Sequence, residues 1–380
     1  MPMPVMRTAL MILALLVPVG VSAAVLDDLY KVEVSGEEGQ SREDQIRLAA
    51  AIVLERLAGP DLNLSRAPFA EALAEPRNLV RRTAAGADGV VDIEFEPSAL
   101  RELLTRAALP MLGRNRPGVL LWGVEAGVLG DELLVQGAPW AELLNQAARQ
   151  RAVALDLPLA DLQDRSQVTE SMIREASQES LLQASERYPS EAVLALAIAQ
   201  QGETWQLNWT LWLNEQRDSG RVSDADQAQA ADSLMRALAA AVFKQYAVSA
   251  TPDGELQGWT LVVNGINGVN DYASLQRTLQ QLGAQAAPRL LSVQGDRAVL
   301  AFDFSGTEAQ LVRLLALDQR LLRVSAPIPE PTPQLVPQPT SLDELEPVVE
   351  TAADEVGETV VETTTPSARN DLRTLYYRWQ

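Results

Sequence analysis

The chain contains neither cysteine nor histidine among its 380 residues. Without cysteine no disulfide can form, so each folded unit must be held together by its own apolar core. Histidine is the side chain that changes charge between about pH 5 and 8, and cysteine supplies the thiolate for catalysis and for soft metals. Their absence excludes most catalytic triads, zinc sites, thiol proteases and disulfide exchangers. We therefore predict no cofactor and no metal site, and we favour a protein that is not an enzyme.

Residues 1–24 have the pattern of a secretory signal peptide. Arg7 precedes an apolar run at 8–19, and Val21-Ser22-Ala23 places short side chains before a cleavage site that follows Ala23 or Ala24. The apolar run is shorter than the roughly 18 residues that a spanning helix needs, which favours cleavage over an uncleaved anchor. We predict an exported, periplasmic protein with no integral membrane segment in the mature chain.

The charge balance argues against two classes of partner. The sequence has 51 acidic and 31 basic residues, for a net charge of −20. A surface of this charge repels nucleic acids and anionic membranes, so we predict neither as a partner. Only Lys31 and Lys244 are lysines, which leaves few candidates for a Ser–Lys dyad or a Schiff base.

Hydrophobic periodicity, helix caps and turn residues predict an α+β or α/β protein of three small domains with mixed sheets. An N-terminal α+β domain is expected at 25–112, and a central α/β domain with a mixed sheet is expected at 113–250. The third domain, at 256–325, has the element order β-α-β-β-α-β that is typical of a ferredoxin-like fold. A capping box at Thr307 and Gln310 and a hairpin about Gly295-Asp296 support that order.

The end of the chain changes in character. Residues 326–368 are rich in proline, glutamate, threonine and valine and predict a disordered acidic linker. Residues 369–380 then combine aromatic and arginine side chains, the types that anchor protein interfaces. A flexible tether would raise the effective concentration of such a motif near a partner. We predict that four of these residues bind a partner: Tyr376, Tyr377, Arg378 and Trp379. The alternative is that the segment folds back onto an exposed edge of the protein's own sheets.

A tryptophan-rich strand at 205–213 supplies one further candidate contact. Trp205 and Trp209 share the apolar face of this strand, which predicts positions in the core. Trp212 falls on the opposite face. We therefore predict Trp212 as an exposed, partner-binding residue.

Paired carboxylates are the remaining source of acid–base chemistry. Glu94 and Glu96 lie on one face of a predicted strand, about 7 Å apart by the strand rise, and glycoside cleavage needs only two carboxylates. In so acidic a chain such pairs arise by chance, which favours a solvated face. Six further candidates were considered: Asp88, Asp92, Glu125, Asp131, Asp156 and Asp161. No phosphate-binding glycine motif or calcium loop is present in the sequence, and residues 264–268 are favoured as a turn between a strand and a helix.

Three strings in the central region resemble an uncharacterised family of exported proteins of Gram-negative bacteria, the domain of unknown function 2066 (DUF2066). They are Gly-Arg-Asn-Arg-Pro at 113–117, Leu-Pro-Leu-Ala-Asp-Leu at 157–162 and Ala-Ser-Glu-Arg-Tyr at 184–188, and the resemblance continues through 205–213. It covers roughly residues 25–325 and implies localisation and architecture but no activity. The order of elements is also similar to the small α/β domains of envelope assembly proteins, among them the amino-terminal domain of the Tol-system propeller protein and the curli-secretion lipoprotein.

The leading hypothesis is a non-enzymatic periplasmic protein-binding or envelope-assembly factor with an unidentified envelope protein as partner. Sheet edges, interdomain clefts or the terminal aromatic motif would form the contact. One alternative is a carboxylate-based hydrolase that acts on an envelope glycan. Another is a small-ligand binder with a pocket between the first two domains, near Arg114, Arg116 and Trp122. The two arginines are favoured as residues that stabilise the connection between these domains.

Overall fold

The computed structural model describes residues 24–35, 40–86, 90–249, 257–281, 288–326 and 373–380. The predicted signal peptide and the predicted acidic linker therefore lie outside the described residues, apart from Ala24 and Ala326. Within those ranges the fold is α+β, with mixed and antiparallel sheets, which confirms the predicted fold class.

The N-terminal unit packs three helices against a small antiparallel sheet. Its elements are β1 (Ala24–Val25), β2 (Lys31–Ser35), α1 (Arg42–Ala58), α2 (Ala67–Ala74), β3 (Val80–Ala85), β4 (Val90–Phe95) and α3 (Pro97–Arg106). The sheet order is β2-β4-β3. The helix α1 begins after Ser41, whose hydroxyl accepts a hydrogen bond from the Asp44 N–H. Alternation in β4 buries Val91, Ile93 and Phe95 against the apolar stripe of α1.

The central unit is built on a mixed six-stranded sheet that is covered on both faces. The six strands of this sheet are β7 (Gly118–Gly127), β8 (Gly130–Leu133), β9 (Ala154–Asp156), β10 (Ala192–Gln201), β11 (Thr204–Leu213) and β12 (Gln216–Asp224). Of the short strands, β5 (Pro110–Met111) pairs with β13 (Val248–Ser249), and β6 (Asn115–Arg116) pairs with β1. Its helices are α4 (Pro139–Arg151), α5 (Leu162–Gln167), α6 (Glu170–Arg174), α7 (Gln178–Ser185) and α8 (Gln227–Tyr246).

The sheet order in the central unit is β12-β11-β10-β7-β8, and β9 also pairs with β7. The strand β7 is parallel to β9 and β10 and antiparallel to β8. The helices α4 and α8 cover one face, and α6 and α7 cover the other. Because β7 and β10 are buried on both faces, they read as nearly continuous apolar runs in the sequence.

The third unit contains the predicted β-α-β-β-α-β order and one strand more. Its elements are β14 (Gln257–Asn264), α9 (Val269–Gln281), β15 (Arg289–Gln294), β16 (Arg297–Phe304), α10 (Glu308–Ala316), β17 (Leu321–Arg323) and β18 (Arg373–Trp379). The sheet order is β15-β16-β14-β18-β17. In a four-stranded ferredoxin-like sheet the first and last strands are neighbours, whereas here β18 lies between them, parallel to β14 and antiparallel to β17. The predicted capping box at Thr307 and Gln310 is present.

The position of β18 corrects the prediction of an accessible terminal motif. Leu375, Tyr377 and Trp379 are 5, 1 and 7% exposed and belong to the apolar core of this unit. Their period of two places all three on one face of the sheet. Tyr376 is half-buried and Arg378 is exposed on the opposite face. Of the four predicted contacts, Tyr377 and Trp379 are therefore core residues, as the fold-back alternative required.

Gly265 illustrates how tightly the inserted strand fits. This glycine follows β14 with a φ of 88°, and a Cβ added there would lie 2.6 Å from the carbonyl oxygen of Trp379. Only glycine combines a positive φ with room for that approach. Residues 264–268 therefore form a turn between a strand and a helix, as predicted, and the turn accommodates the end of β18.

The second and third units share one contiguous apolar cluster, in which α8 and α10 are in contact. The Gln310 side-chain amide donates to the Ala247 carbonyl at 3.2 Å, and the Arg313 guanidinium donates to the Gln245 carbonyl at 3.3 Å.

Across the described residues, no helix combines the length and the apolar character that crossing a membrane requires.

Replacement of Tyr377 by alanine should lower the free energy of unfolding by about 3–5 kcal/mol, because a large ring is removed from the core. Tyr377→Phe should be neutral or slightly stabilising, because the buried hydroxyl has no hydrogen-bond partner among the described residues. Arg378→Ala, at the exposed neighbour, should change stability by no more than about 0.5 kcal/mol. Urea denaturation of the three variants tests this placement, and equal losses for Tyr377→Ala and Arg378→Ala would contradict it.

Candidate protein-binding site

Trp212 is buried, and its predicted exposure is wrong. The side chain is 3% exposed and belongs to the apolar cluster under α6 and α7. A period of two in β11 does assign Trp212 to the face opposite Leu211, but that face is covered as well. Trp205 and Trp209 are partly buried against the other cluster, as predicted, and the ring of Trp205 meets that of Trp140 edge to face at 5.2 Å.

The carboxylates that could have formed a catalytic pair have local partners. Glu94 forms ion pairs with Arg81 and Arg82, each at 3.3 Å, across the β3–β4 ladder. Glu96 precedes α3 and accepts a hydrogen bond from the Ser98 hydroxyl at 3.0 Å. Asp88 lies outside the described residues. Within the described ranges, no three acidic side chains lie close enough together to hold a metal ion.

Two buried arginines hold the N-terminal unit to the central unit. Arg116 is 3% exposed and donates to the carbonyl oxygens of Arg56, Gly113 and Ala152. Arg56 is 9% exposed and donates to five carbonyls, which belong to Asp28, Leu29, Lys31, Arg149 and Gln150. Burial lowers the pKa of both guanidinium groups, and in Arg116 the neighbouring charge of Arg56 lowers it further. Neither group has a carboxylate within 4 Å among the described residues, so carbonyl oxygens are the direct partners of both charges, and the more distant charge of Asp28 raises the pKa of Arg56.

The contacts of Arg116 agree with the stabilising role predicted for Arg114 and Arg116, and Arg114 donates to the carbonyls of Leu26 and Asp27. The groove between the two units lies elsewhere. The groove has a volume of about 550 Å³ and is lined by residues of 26–33, by Arg56 and by residues of 146–153. Trp122 is fully buried in the central sheet, and neither Arg114 nor Arg116 lines the groove. The charged side chains that line it have both signs and define no class of ligand: Asp27, Asp28, Lys31, Glu33, Arg56 and Arg149.

Two of the strings that resemble DUF2066 meet in one hydrogen-bonded network. The carboxylate of Asp164 is fully buried and accepts from the Tyr188 hydroxyl at 2.6 Å and from Arg187 at 3.2 Å. Asp161 caps α5 and accepts two hydrogen bonds from Arg187. The Tyr188 hydroxyl in turn accepts from the Leu159 N–H at 2.9 Å. The network anchors the loop after β9 to the end of α7, which is a structural role.

The sheet edges differ sharply in how well they are protected against pairing with another chain. Among the described strands, β17 has three residues and β8 has four. The strand β12 is polar apart from Val222, β3 carries Arg81 and Arg82 beside a register shift, and β2 carries Lys31 and Glu33. The outer strand β15 has six residues, all of them exposed, and three of them are aliphatic. Its one charged residue is Arg289, and like β3 it has a register shift, at Leu291.

The apolar side chains of β15 lie in solvent. Leu290, Leu291 and Val293 are 44, 55 and 55% exposed. Leu290 pairs with Leu300, and Val293 pairs with Ala298. Leu300 and Ala298 belong to the core under the helices, so Leu290 and Val293 continue that apolar face beyond its covered part.

Two arginines accompany this apolar stripe. Arg289 opens β15 and pairs with Ala301, and Arg297 pairs with Gln294 across the hairpin. Both are exposed, and neither has a carboxylate within 4 Å among the described residues. We call Arg289–Gln294 together with Arg297 the β15 edge. It presents unpaired backbone groups, an aliphatic stripe and two uncompensated positive charges in a chain whose net charge is −20.

The sequence contained part of this signal. The hairpin about Gly295-Asp296 was predicted from alternation and turn residues, and it is present. Which of its strands would lie at the edge depends on the sheet order, which periodicity does not determine.

The comparisons with known proteins give a family-model match over part of the chain. A family model described as "Domain of unknown function (DUF8605)" matches residues 23–113, the N-terminal unit and the start of the junction. No curated protein of similar sequence was found. Among solved structures, protein VC0702 from Vibrio cholerae matches with 8% identity over 34% of this chain and 95% of that chain. Its TM-score of 0.19 carries no argument about the fold. The resemblance of the central strings to DUF2066 stays a prediction.

Arg116→Lys should destabilise the junction, because an ammonium group cannot reproduce the guanidinium fork and leaves a buried carbonyl unpaired. We expect the free energy of unfolding to fall by about 1–3 kcal/mol. Arg101→Lys, an exposed substitution on α3, is the matched control and should change it by no more than about 0.5 kcal/mol. Urea denaturation provides the measurement, and indistinguishable midpoints would argue against a clamp at Arg116.

The Asp161 network should make stability depend on pH in acid. The hydrogen bonds from Arg187, aided by the Asp164 N–H, lower the pKa of Asp161 to about 2. A carboxyl whose pKa is lowered on folding stabilises the protein above its unfolded pKa of about 3.9, and this contribution is lost as the pH falls through the folded pKa. The stability advantage of the wild type over Asp161→Asn should therefore shrink between about pH 4 and pH 2. Thermal unfolding across this range would show a constant difference if the carboxylate were not engaged.

Proposed function

We propose that this protein is a non-enzymatic protein-binding factor of the periplasm, and that it captures an extended segment of an envelope protein on the β15 edge. The supporting observation is the exposure of Leu290, Leu291 and Val293 on an outer strand while the other edges are short, polar or charged. The periplasmic part of the proposal is supported by the sequence pattern at 1–24.

Backbone pairing would supply the basic affinity. An extended segment that joins a sheet satisfies the unpaired N–H and C=O groups of the outer strand, whatever the segment's sequence. The same unpaired groups make a long apolar edge prone to aggregation, so natural proteins usually protect such edges. An edge left open in a protein that protects its others favours a binding function for that strand.

Side chains would supply the specificity. Leu290 and Val293 lie on the helix-covered face, so an added strand should place apolar side chains there. Arg289 pairs with Ala301, on the opposite face, which favours acidic side chains at the alternate positions of the partner. The partner segment is therefore expected to alternate between apolar and acidic residues.

A short fluorescent peptide in which valine and glutamate alternate is a suitable probe for fluorescence anisotropy. We expect it to bind the full-length protein, and the double variant Leu290→Lys/Val293→Lys to bind about tenfold or more weakly. Leu162→Lys is the matched control, because Leu162 is 88% exposed but lies on α5. Its affinity should equal that of the wild type.

A second peptide in which valine and lysine alternate separates charge from backbone pairing. It should bind more weakly than the glutamate peptide, and Arg289→Glu should reverse this order. Equal binding of the glutamate peptide to the wild type and to the double lysine variant would refute a site on β15.

A further inference from the structure

A β-hairpin in the central unit carries an apolar pair at its tip that its own fold does not use. Val128 and Leu129 connect β7 to β8 and are 104 and 99% exposed. They lie between Gly127 and Gly130, which pair with each other across the hairpin. Two consecutive aliphatic side chains that lie wholly in solvent contribute nothing to the core, and contiguous exposed apolar surface often marks an interaction site. We call Gly127–Gly130 the hairpin tip.

The strands behind the hairpin tip carry uncompensated negative charge. Glu125 on β7 lies directly opposite Glu132 on β8. Like charges in this position repel each other, and neither glutamate has a cation within 4 Å among the described residues, whereas the adjacent Asp131 is held by Arg174 through two hydrogen bonds. Partial burial, followed by the charge of Glu132, raises the pKa of Glu125. A cation supplied from outside would relieve this repulsion.

The β15 edge presents the complementary set of groups. Its three exposed aliphatic side chains match the two at the hairpin tip, and its two uncompensated arginines match the two uncompensated glutamates. Arg297 is the first residue of β16, and Arg289 of β15 pairs with Ala301 of β16. The two arginines are therefore separated by four residues along β16, or about 13 Å. The register places Leu290 and Val293 on one face of the hairpin and both arginines on the other, so a tip that approaches the strand edge would meet aliphatic side chains on one face and guanidinium groups on the other.

We infer that a second copy of this chain binds the β15 edge through its hairpin tip. This inference rests on the proposed function of the β15 edge as a binding surface and adds a second ligand, the hairpin tip of another copy. The two surfaces differ, so the contact is heterologous, and every added copy leaves one hairpin tip and one β15 edge unoccupied. The protein should therefore form open, concentration-dependent assemblies that weaken as the salt concentration rises.

Sedimentation velocity of the full-length protein over a wide concentration range tests the inference. The wild type should grow in mean mass with concentration. The tip variant Val128→Ser/Leu129→Ser and the edge variant Leu290→Lys/Val293→Lys should each remain monomeric, whereas Leu162→Ser should assemble like the wild type.

Mixing the two variants gives the sharpest outcome. The edge variant keeps an intact hairpin tip, and the tip variant keeps an intact β15 edge, so the mixture should form a one-to-one dimer and nothing larger.

A charge exchange provides a second test. Glu132→Arg and Arg289→Glu should each weaken assembly alone, and together in one chain they should restore part of it. Assembly that persists in the tip variant, or mixed variants that stay monomeric, would overturn the inference.

Two further outcomes separate this inference from the proposed function. If the wild type stays monomeric while the valine–glutamate peptide still binds, the second copy is not the partner and the proposed function stands. If the peptide fails as well, the β15 edge is not a binding site at all. Sedimentation with neutral phosphatidylcholine vesicles that depends on Val128 and Leu129, with a monomeric wild type, would assign the hairpin tip to a membrane instead.

Discussion

The parallel pairing of β14 with β18 is the interaction on which the third unit depends. Register places Leu375 beside Leu261 and Tyr377 beside Val263, and Trp379 pairs with Leu321 on the other side. Without β18, β14 would lose one of its two neighbours in this sheet and β17 would lose its pairing with the sheet, and the apolar face under α9 and α10 would have a gap at its centre. The Arg320 guanidinium covers the Trp379 ring at 4.6 Å and is itself held by Asp318, so the end of the strand is fixed as well.

This pairing also fixes both ends of the acidic segment between Ala326 and Arg373. The Val324 N–H donates to the Tyr376 carbonyl at 2.9 Å, so the chain leaves the sheet and re-enters it at adjacent strands. The terminal aromatic residues are consequently part of the fold, and the accessible surfaces of the molecule lie elsewhere.

The inserted strand leaves the edges of the sheet unchanged, because β15 and β17 would be its outer strands with or without β18. The strand β18 fills the centre of the sheet, and the short β17 closes one side of it. On the other side β15 has no outer neighbour among the described strands, although half of its side chains have the character of core residues. The β15 edge and the buried C-terminal strand are thus two consequences of one sheet order.

The sequence predicted local structure well and sheet order poorly, for a physical reason. The cap at Thr307 and the turn at Gly295 are determined by neighbours in the chain, and both are present. Alternation in 373–379 indicates a strand, but no local rule indicates which two strands it joins.

Trp212 failed as a prediction for a related reason. Its face of the strand was assigned correctly, but the burial of that face depends on α6 and α7, which pack there from elsewhere in the chain. The β15 edge was missed in the same way, since its exposure depends on the absence of a neighbour. The burial of Trp212 and the exposure of β15 therefore both depend on contacts between segments that are distant in the sequence, and local sequence patterns do not predict such contacts.

Amide hydrogen exchange of the C-terminal strand tests the central claim most directly. The account predicts that the amides of Leu375 and Tyr377 exchange as slowly as those of Leu261 in β14 and Leu300 in β16, because all four belong to one cooperative sheet. Exchange of residues 373–379 at the rate of an unstructured peptide, while β14 and β16 stay protected, would contradict it.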